Sequence, residues 1–531
     1  MASKTEYHNH KFVDYTSYSA THQHYALQVL SDDEPTCYTK ASKDPKWNEA
    51  MEAEFKALNS NNTWEITDLP LGKNHVGSKW IYRIKRNSDG TISKYKARLV
   101  ARGFTQLEGL DYHETFALVV KMNTIRAFLA VVVANGWPLF QLDVDNAFLH
   151  GHLDEEVYMS LPPVFYKNEK AQGKVCRLLK SLYGLKQAPR QWYSRFSDVL
   201  VSFGFVQSLN DHSLFTYNKE GIFLALLVYV DDVILTGTSS SLIQSVKTYI
   251  HDLFGIKDLG KLRYFLGFEV ARSSEGLFLN QRKYAFELIV EAGLSACKPS
   301  TILMDTKHKL GLSTTPILDD PSPYRRLVGQ LIYLTNTRSD IAYYIHILSQ
   351  FMNQPIIDHL TVAHKVLRYL KLALAQGLFY PSHQPLLLEA HCDADWGACP
   401  LNRKSITEVE YTAMAHACCE VAWLVRLLED LQVHVPTPVL LHCDNNAVMH
   451  IAKNLVFHER TKHVELDCHV VQQHLTSGLI SPHFVPTVDQ PADLLTKALS
   501  ADRLHHLAGK LNVCNTLHTL SLRGVLRSWV C

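Results

Sequence analysis

Residues 227–235 place two adjacent carboxylates in an otherwise apolar run, and this stretch most strongly limits the folds open to the chain. Apolar residues occupy positions 222–230, give way to Asp231 and Asp232, and resume immediately. The pattern predicts a buried strand, a tight turn and a return strand, with both carboxylates at the tip. Charged side chains are almost never fully buried unless they are paired or bind metal. A solvated hairpin turn would also explain an isolated Asp-Asp pair.

A second apolar run, residues 139–144, also carries a carboxylate, Asp143. Two hydrophobic strands that each present Asp indicate a cluster of hard oxygen ligands, which suits Mg²⁺ with bound phosphates. Two such ions about 3.5–4 Å apart can activate an attacking oxygen and stabilise a leaving one. The two runs together therefore predict polymerase or nuclease chemistry.

The bulk composition excludes several classes of protein. The 531 residues are enough for roughly three or four domains. The net charge is +1, so no global basicity indicates nucleic acid, and the 11 cysteines show no zinc-finger or disulfide-like spacing. A reducing intracellular setting is expected. No apolar run approaches the roughly 20 residues of a membrane helix, so no membrane partner is expected.

Local charge is more informative. Residues 79–86 and 91–102 read as a hairpin around the turn 87–90, and residues 73–102 contain nine Lys or Arg and one acid. Alternation places basic side chains on one face of each strand: Arg83 and Lys85 on the first, and Lys94, Lys96 and Arg98 on the second. A solvated charged surface is one explanation. A phosphate backbone or a triphosphate explains this one-sided density better.

Several motifs, in order along the chain, resemble the reverse transcriptase of copia-type LTR retrotransposons. They are Lys96-Ala-Arg-Leu-Val-Ala-Arg-Gly103, Gln141-Leu-Asp-Val-Asp-Asn-Ala-Phe148, Leu182-Tyr-Gly-Leu-Lys-Gln-Ala-Pro189, Tyr229-Val-Asp-Asp232, Tyr264-Phe-Leu-Gly-Phe-Glu-Val270, and Lys462-His463 with Ala492-Asp493. The resemblance extends from about residue 34 to about residue 511. It implies an α/β protein with an α+β palm: a right-hand polymerase of fingers, palm and thumb, a helical connection, and a ribonuclease H-like α/β domain.

The resemblance also implies the site residues. Asp143, Asp231 and Asp232 match the palm carboxylates that hold two Mg²⁺ ions, and Phe148 matches an aromatic gate against a ribonucleotide 2′-hydroxyl. The remaining matches are Lys96 and Arg98 in the fingers strand that contacts the triphosphate, and Gly184 and Lys186 in the loop that supports template and nucleotide. Asp145 stands where the family usually has Lys or Asn. The implied partners are an RNA template, a DNA primer and deoxynucleoside triphosphates.

Four carboxylates match the ribonuclease H site: Asp393, Glu410, Asp444 and Asp493. The resemblance implies that two strands, two turns and a helix entry lie between Asp393 and Glu410. These elements need at least about 20 residues, whereas only 16 separate the two carboxylates. We therefore expect this domain to lack two strands, to be inactive and to fold poorly. Specifically, the first strand should have an unpaired edge, the helix face around Trp423, Leu424 and Leu427 should be exposed, and Glu410 should lack a fixed position.

The expected domains are a polar segment (1–40), reverse transcriptase (41–294), linker and connection (295–385), a ribonuclease H-like domain deleted between 395 and 410 (386–500), and a tail (501–531). The expected function is RNA-directed DNA polymerase. The alternative is a decayed, non-catalytic remnant that binds nucleic acid. Protease, integrase and capsid motifs are not found, and the resemblance implies a cytoplasmic location, or a virus-like particle for an active element.

Overall fold

A computed structural model describes residues 34–86, 91–115, 119–144, 146–163, 173–304, 310–313, 315–394, 406–453, 465–515 and 529–530. The chain forms two compact units. Within the described residues, the first unit comprises residues 34–121 and Pro138–Lys261, and the second comprises Met122–Trp137 and residues 262–530. Both units combine helices and sheets, so the expected α/β class is confirmed.

The basic hairpin of the first unit is built as predicted, although its turn, residues 87–90, lies outside the described residues. Strands β3 and β4 pair antiparallel and bury alternate side chains such as Trp80 and Leu99. Helix α2 begins at Pro45 after Asp44, whose side chain accepts a hydrogen bond from the Lys46 amide, and packs on that buried face. The elements here are α1 Tyr38–Ala41, α2 Pro45–Ser60, β1 Trp64–Thr67, β2 His75–Val76, β3 Ser78–Arg86 and β4 Ile92–Ala101.

A six-stranded antiparallel sheet of order β12-β5-β11-β10-β9-β8 forms the second part of this unit. Two amphipathic helices, α4 and α5, cover it with buried side chains that include Trp192, Phe196 and Ile250. A smaller sheet has the order β1-β7-β6-β2. The elements are β5 Leu139–Val144, β6 His152–Ser160, β7 Val175–Lys180, α4 Ala188–Phe203, β8 Val206–Gln207, β9 Leu214–Lys219, β10 Ile222–Tyr229, β11 Asp232–Gly237, α5 Ser240–Phe254 and β12 Ile256–Lys261.

The second unit contains a helical core and a five-stranded sheet of order β13-β14-β15-β16-β20, in which β20 is Val513–Asn515. Helix α3, almost wholly apolar and buried, packs against β16, and Arg126 on it donates to the Asn336 carbonyl at 2.5 Å. The elements are α3 Met122–Ala134, β13 Tyr264–Phe265, β14 Phe268–Arg272, β15 Gly276–Asn280, α6 Arg282–Glu291, α7 Ser322–Leu334, α8 Ala342–Ser349, α9 Ile357–Leu370 and β16 Gln376–Pro381. Residues 501–515, expected as part of a tail, supply a helix and the strand β20.

A second sheet in this unit, of order β19-β18-β17-β21, is parallel throughout its described strands. Parallel strands place their carboxyl ends at one edge, so residues that follow β17 and β18 lie close together. The elements are β17 Glu389–His391, α10 Ile406–Asp430, β18 Val439–Cys443, α11 Asn446–Lys453, α12 Glu465–Thr476, β19 Ile480–Phe484, α13 Asp493–Thr496, α14 Ala501–Lys510, β20 Val513–Asn515 and β21 Trp529–Val530.

Two expectations about this sheet are wrong. The edge of β17 is paired, because Trp529 and Val530 lie in parallel register against Ala390 and His391. The face of α10 is also covered rather than exposed: Leu424 is 2% exposed, Leu427 is fully buried, and Trp423 is half-buried. The reason is that α12 packs against α10. The expected deletion between 395 and 410 falls largely on residues 395–405, which lie outside the described residues.

No helix in the described part of the chain combines the length and the apolar character needed to cross a membrane.

Candidate active site

The Asp-Asp hairpin has the predicted form. Tyr229 at the end of β10 pairs with Asp232 at the start of β11, so Val230 and Asp231 make a two-residue turn. Val230 adopts a left-handed φ of 55°, which is rare for a β-branched residue. The indole of Trp192 donates to the Val230 carbonyl at 2.7 Å. Trp192 on α4 thus holds the strained turn in place.

The register of the sheet brings the third carboxylate to the same end. Asp143 on β5 lies directly opposite Asp232 on β11, and the Val144 amide donates to the Asp231 carbonyl at 2.9 Å. Gln141 on β5 donates from Nε2 to Asp232 Oδ1 at 3.2 Å. The three predicted carboxylates therefore occupy adjoining positions at one end of two paired strands.

Burial raises the pKa of Asp232, a hydrogen bond from Gln141 lowers it, and the charges of Asp231 and Asp143 raise it again. Like charges at one end of a sheet repel. In keeping with this repulsion, Asp143, Asp231 and Asp232 are not among the groups of described side chains whose ligand atoms all lie within 4.8 Å of one another. Two other groups of side chains meet that distance. The chemistry of the donors still fits Mg²⁺, since all three are carboxylates and the site is only partly buried.

An aromatic and cationic stack lies next to these carboxylates. The ring of Phe148 meets that of Tyr183 edge-on at 5.0 Å, and the Arg98 guanidinium carbon lies 4.1 Å from the centre of the Tyr183 ring. Burial raises the pKa of Tyr183, Arg98 lowers it, and Asp231 and Asp143 raise it further, which places Tyr183 in the field of both carboxylates. Tyr183 was not among the predicted site residues, because its motif alone does not tell a stacking ring from a core ring.

Lys96 and Arg98 lie on one face of β4. They face Arg83 and Ile81 of β3, while Lys94 faces Lys85, so the predicted basic side chains share one surface of the hairpin. Burial lowers the pKa of Lys96, and Arg98 and Lys85 lower it further, whereas Asp143 raises it. The end of this basic surface thus lies within electrostatic reach of the carboxylates.

Glu54, a residue not predicted, lies below this surface on α2. Burial raises the pKa of its carboxyl, and the charge of Arg98 opposes the shift. Its Oε1 atom and the Arg98 Nε atom have no hydrogen-bond partner among the described residues. Glu54 therefore places a buried carboxyl within the electrostatic reach of Arg98, whose guanidinium stacks on Tyr183.

The loop after β7 approaches β4 so closely that only glycine fits. Gly184 has a φ of +90°, and a Cβ there would lie 2.2 Å from the Ala101 carbonyl oxygen. The Ala101 amide donates to the Tyr183 carbonyl at 2.7 Å. Lys186 is directed elsewhere: its ammonium donates to the Gln106 carbonyl at 3.2 Å and to the Tyr112 hydroxyl at 3.0 Å. Gly184 therefore positions the aromatic stack, whereas Lys186 ties the loop to residues 106–112.

Asp145 lies outside the described residues, so its relation to Asp143 stays a prediction.

A second carboxylate cluster lies in the second unit. Ligand atoms of Asp393, Asp444 and Asp493 all lie within 4.8 Å of one another. Asp393 and Asp444 follow the neighbouring parallel strands β17 and β18, and Asp493 begins α13. Glu410 on α10 also reaches this cluster: burial raises the pKa of its carboxyl, a hydrogen bond from Asn445 lowers it, and Asp393 and Asp444 raise it. The structure thus places Glu410 at this cluster, while its expected mobility stays a prediction.

Lys497 occupies the centre of the second cluster. Its ammonium lies 2.6 Å from Asp493 Oδ1, 3.2 Å from Asp393 Oδ2 and 3.8 Å from Asp444 Oδ2. Arg503 pairs with the other oxygen of Asp493. Burial raises the pKa of Asp493 to about 6 even with these cations present. The carboxylates suit a divalent cation, but Lys497 competes with it for the same oxygens.

Comparison with known proteins identifies the family. A family model described as reverse transcriptase (RNA-dependent DNA polymerase) matches residues 61–306. The chain is 39% identical over 517 residues to the retrovirus-related Pol polyprotein from transposon RE1 of Arabidopsis thaliana, covering 92% of this chain and 35% of that polyprotein. It is 36% identical over 259 residues to a putative transposon Ty5-1 protein of Saccharomyces cerevisiae, covering 48% of this chain and 84% of that protein.

Among solved structures, a foamy viral protease-reverse transcriptase in complex with double-stranded DNA is 11% identical, with a TM-score of 0.45, over 84% of this chain and 70% of that chain. This likeness is too distant to assign function. The chain spans about a third of the length of the RE1 polyprotein. The matches in sequence show that the chain belongs to the copia-type retrotransposon Pol family and contains its reverse transcriptase domain.

Proposed function

We propose that this chain is an RNA-directed DNA polymerase that adds deoxynucleotides to a primer 3′-hydroxyl. The observation that carries the proposal is the in-register pairing of Asp143 with Asp232, with Asp231 in the adjoining turn. Carboxylates from two strands and one turn are thereby held at one end of a sheet. Asp143, Asp231 and Asp232 would hold two Mg²⁺ ions, which when bound activate the attacking hydroxyl and stabilise the leaving oxygen.

The stack beside the carboxylates supports a nucleotide site. The ring of Phe148, fixed edge-on by Tyr183, would occupy space that a 2′-hydroxyl needs. Arg98 and Lys96 would bind the negative oxygens of the triphosphate, since Asp143 lies within electrostatic reach of Lys96. Gly184 would keep Tyr183 in place by letting the loop backbone approach β4. The proposed role of Lys186 is to anchor that loop rather than to touch substrate.

The proposed partners are an RNA template and a DNA primer. The hairpin surface that carries Arg83, Lys85, Lys94, Lys96 and Arg98 provides one-sided positive charge. Of these side chains, Arg83 is paired with Glu34 at 2.8 Å. Phosphate contacts of this kind position a duplex without reading its sequence.

The proposal for the second carboxylate cluster is that it does not cleave RNA. The reason is Lys497, whose ammonium would have to leave the carboxylates before a metal could bind them. This side-chain displacement would be needed for nuclease chemistry there.

The test is extension of a DNA primer annealed to an RNA template, with Mg²⁺ and deoxynucleotides. We expect Asp231→Asn and Asp143→Asn to abolish extension and to change the hybrid dissociation constant less than about twofold, because binding rests on distributed phosphate contacts. Asp198→Asn, on the exposed side of α4, is the matched control and should extend normally. Substantial extension by either site variant would remove these residues from the metal site. Hybrid binding without extension by the unaltered chain would favour the non-catalytic alternative.

A further inference from the structure

Three histidines form a ladder across the parallel sheet of the second unit. His391 on β17 lies in register with His442 on β18, which lies in register with His483 on β19. Residues in register on adjacent strands share a face of the sheet, and residues two apart on one strand do so as well. Glu389 therefore lies on the same face as the ladder.

Three of these side chains offer ligand atoms to one point. The ligand atoms of Glu389, His391 and His442 all lie within 4.8 Å of one another. His442 Nε2 is 3.9 Å from Glu389 Oε2, and the rings of His391 and His442 stack at 4.7 Å with an interplanar angle of 20°. His391 is 7% exposed, while Glu389 and His442 are half-buried. The group is therefore sheltered but open on one side.

Gln490 fixes the hydrogen position on His391. The Gln490 Nε2 group donates to the Cys392 carbonyl at 3.1 Å, so its Oε1 atom faces the other way. That oxygen lies 3.1 Å from His391 Nδ1 and also accepts from the Ala492 amide at 3.5 Å. Nδ1 must therefore carry the hydrogen, which leaves a lone pair on Nε2. Metal-bound histidines are oriented by this kind of outer hydrogen bond.

We propose that Glu389, His391 and His442 form a binding site for a divalent first-row transition metal, with Zn²⁺ as its representative. Two imidazole nitrogens and one carboxylate oxygen are a recurring ligand set for Zn²⁺, which leaves a fourth position for water. Nitrogen donors select these metals over Mg²⁺. To bind one ion, the two rings must leave their stack by rotating about χ2. The backbone register that brings them together does not have to change.

The site lies in the second unit, uses none of the polymerase carboxylates and does not depend on the proposed function. It also uses none of the oxygens of the second carboxylate cluster. However, His391 and His442 each precede a member of that cluster by two residues, Asp393 and Asp444. A bound metal would thus cross-link β17 to β18 just before the strands end. In the part of the chain that the structure describes, Trp529 and Val530 alone pair with the β17 edge, and the cross-link would fix the spacing of β17 and β18.

The experiment titrates the full, untagged chain with Zn²⁺ against a chromophoric chelator, in excess Mg²⁺. We expect His442→Gln and Glu389→Gln each to remove one equivalent of tight binding, with a fall in affinity of about 100-fold or more, since loss of an outer-shell partner alone costs about 10–100-fold. The matched control is His505→Gln, on the exposed face of α14, which should bind as the unaltered chain does. Co²⁺ in place of Zn²⁺ should give a visible absorption spectrum of imidazole ligation that His442→Gln loses.

Circular dichroism of the metal-free variants separates loss of binding from loss of folding. Glu389→Gln preserves the shape of the side chain, so it keeps the test decisive if His442→Gln fails to fold. The proposal is overturned if both variants retain every tight equivalent. It is equally overturned if the equivalent is lost on combining Asp393→Asn with Asp444→Asn, because the ion would then belong to the carboxylate cluster.

Discussion

At the scale of single residues, Phe148 presents a ring whose edge is fixed by Tyr183, itself held under the Arg98 guanidinium. A fixed ring excludes a substituent on the sugar better than a mobile one. We expect Phe148→Ala to lower discrimination between deoxy- and ribonucleotides by about tenfold or more, or about 1.4 kcal/mol of selectivity. Single-turnover extension with each nucleotide measures the ratio.

The control for this prediction is Phe104→Ala. Phe104 is 76% exposed, so its loss should leave the ratio unchanged. An unaltered ratio in Phe148→Ala would show that sugar selection lies elsewhere, and Tyr183→Phe would then be the next variant to examine.

Lys497 makes the second carboxylate cluster stable without a divalent ion. Its side chain is 37% exposed, whereas those of Asp393 and Asp493 are almost fully buried. We expect Lys497→Met to destabilise the metal-free protein by about 1–3 kcal/mol, between the values for surface and buried pairs. Mg²⁺ should then raise the melting temperature more in the variant than in the unaltered chain, because the ion can bind the carboxylate oxygens that Lys497 held.

Thermal unfolding with and without Mg²⁺ checks this prediction, with Lys453→Met as the control. Lys453 is exposed on α11 of the same unit, so its loss should not change the response to Mg²⁺. Identical Mg²⁺ responses in Lys497→Met and the unaltered chain would contradict competition for the cluster.

At the scale of elements, the contact between the Gly184 loop and β4 decides where the aromatic stack lies. A methyl group at Gly184 would meet the Ala101 oxygen at 2.2 Å and would also require a φ of +90°. We expect Gly184→Ala to destabilise the protein by about 2–5 kcal/mol, from steric overlap and backbone strain together. The deoxynucleotide KM should rise as well, because Tyr183 precedes this glycine.

Gly109→Ala is the matched control, since Gly109 has a φ of +79° but open space around its Cβ position. Gly109→Ala should lower the free energy of unfolding only through backbone strain, by about 1–2 kcal/mol, with no change in the deoxynucleotide KM. Denaturant unfolding and steady-state kinetics compare the two variants. Equal losses would mean that the close approach at Gly184 contributes nothing.

The sequence predicts those elements whose signals are local. The Asp-Asp hairpin and the basic hairpin follow from runs and alternation, and both are built as expected. The pairing of Asp143 with Asp232 depends on the register of β5 against β11, which no local pattern specifies. Local signals also do not show what a lysine side chain contacts. Lys186 lies in a loop motif, yet its ammonium donates a hydrogen bond to Tyr112 of another segment.

For the parallel sheet, the prediction from residue spacing is wrong. The short spacing between Asp393 and Glu410 predicted an open edge and an exposed helix face. The structure covers both with segments distant in sequence: β21 lies against β17, and α12 lies against α10. Spacing within one segment cannot reveal that a remote segment replaces the missing contacts.

At the scale of the whole molecule, four carboxylates converge in the second unit, yet we expect no degradation of the RNA strand of an RNA–DNA hybrid. The purified chain should leave labelled RNA intact while it extends a primer. RNA cleavage that disappears in Asp444→Asn would contradict this expectation. Cleavage that persists in Asp444→Asn would indicate a contaminating nuclease.

The path of the chain between its two units has a consequence for inheritance. The chain passes from one unit to the other at residues 121/122, 137/138 and 261/262, since α3 belongs to the second unit while its flanking segments belong to the first. A single recombination crossover in the gene cannot exchange one unit intact. A break after residue 261 would carry α3 away from β16, the strand it packs against. The two units must therefore be inherited together, or exchanged through more than one crossover.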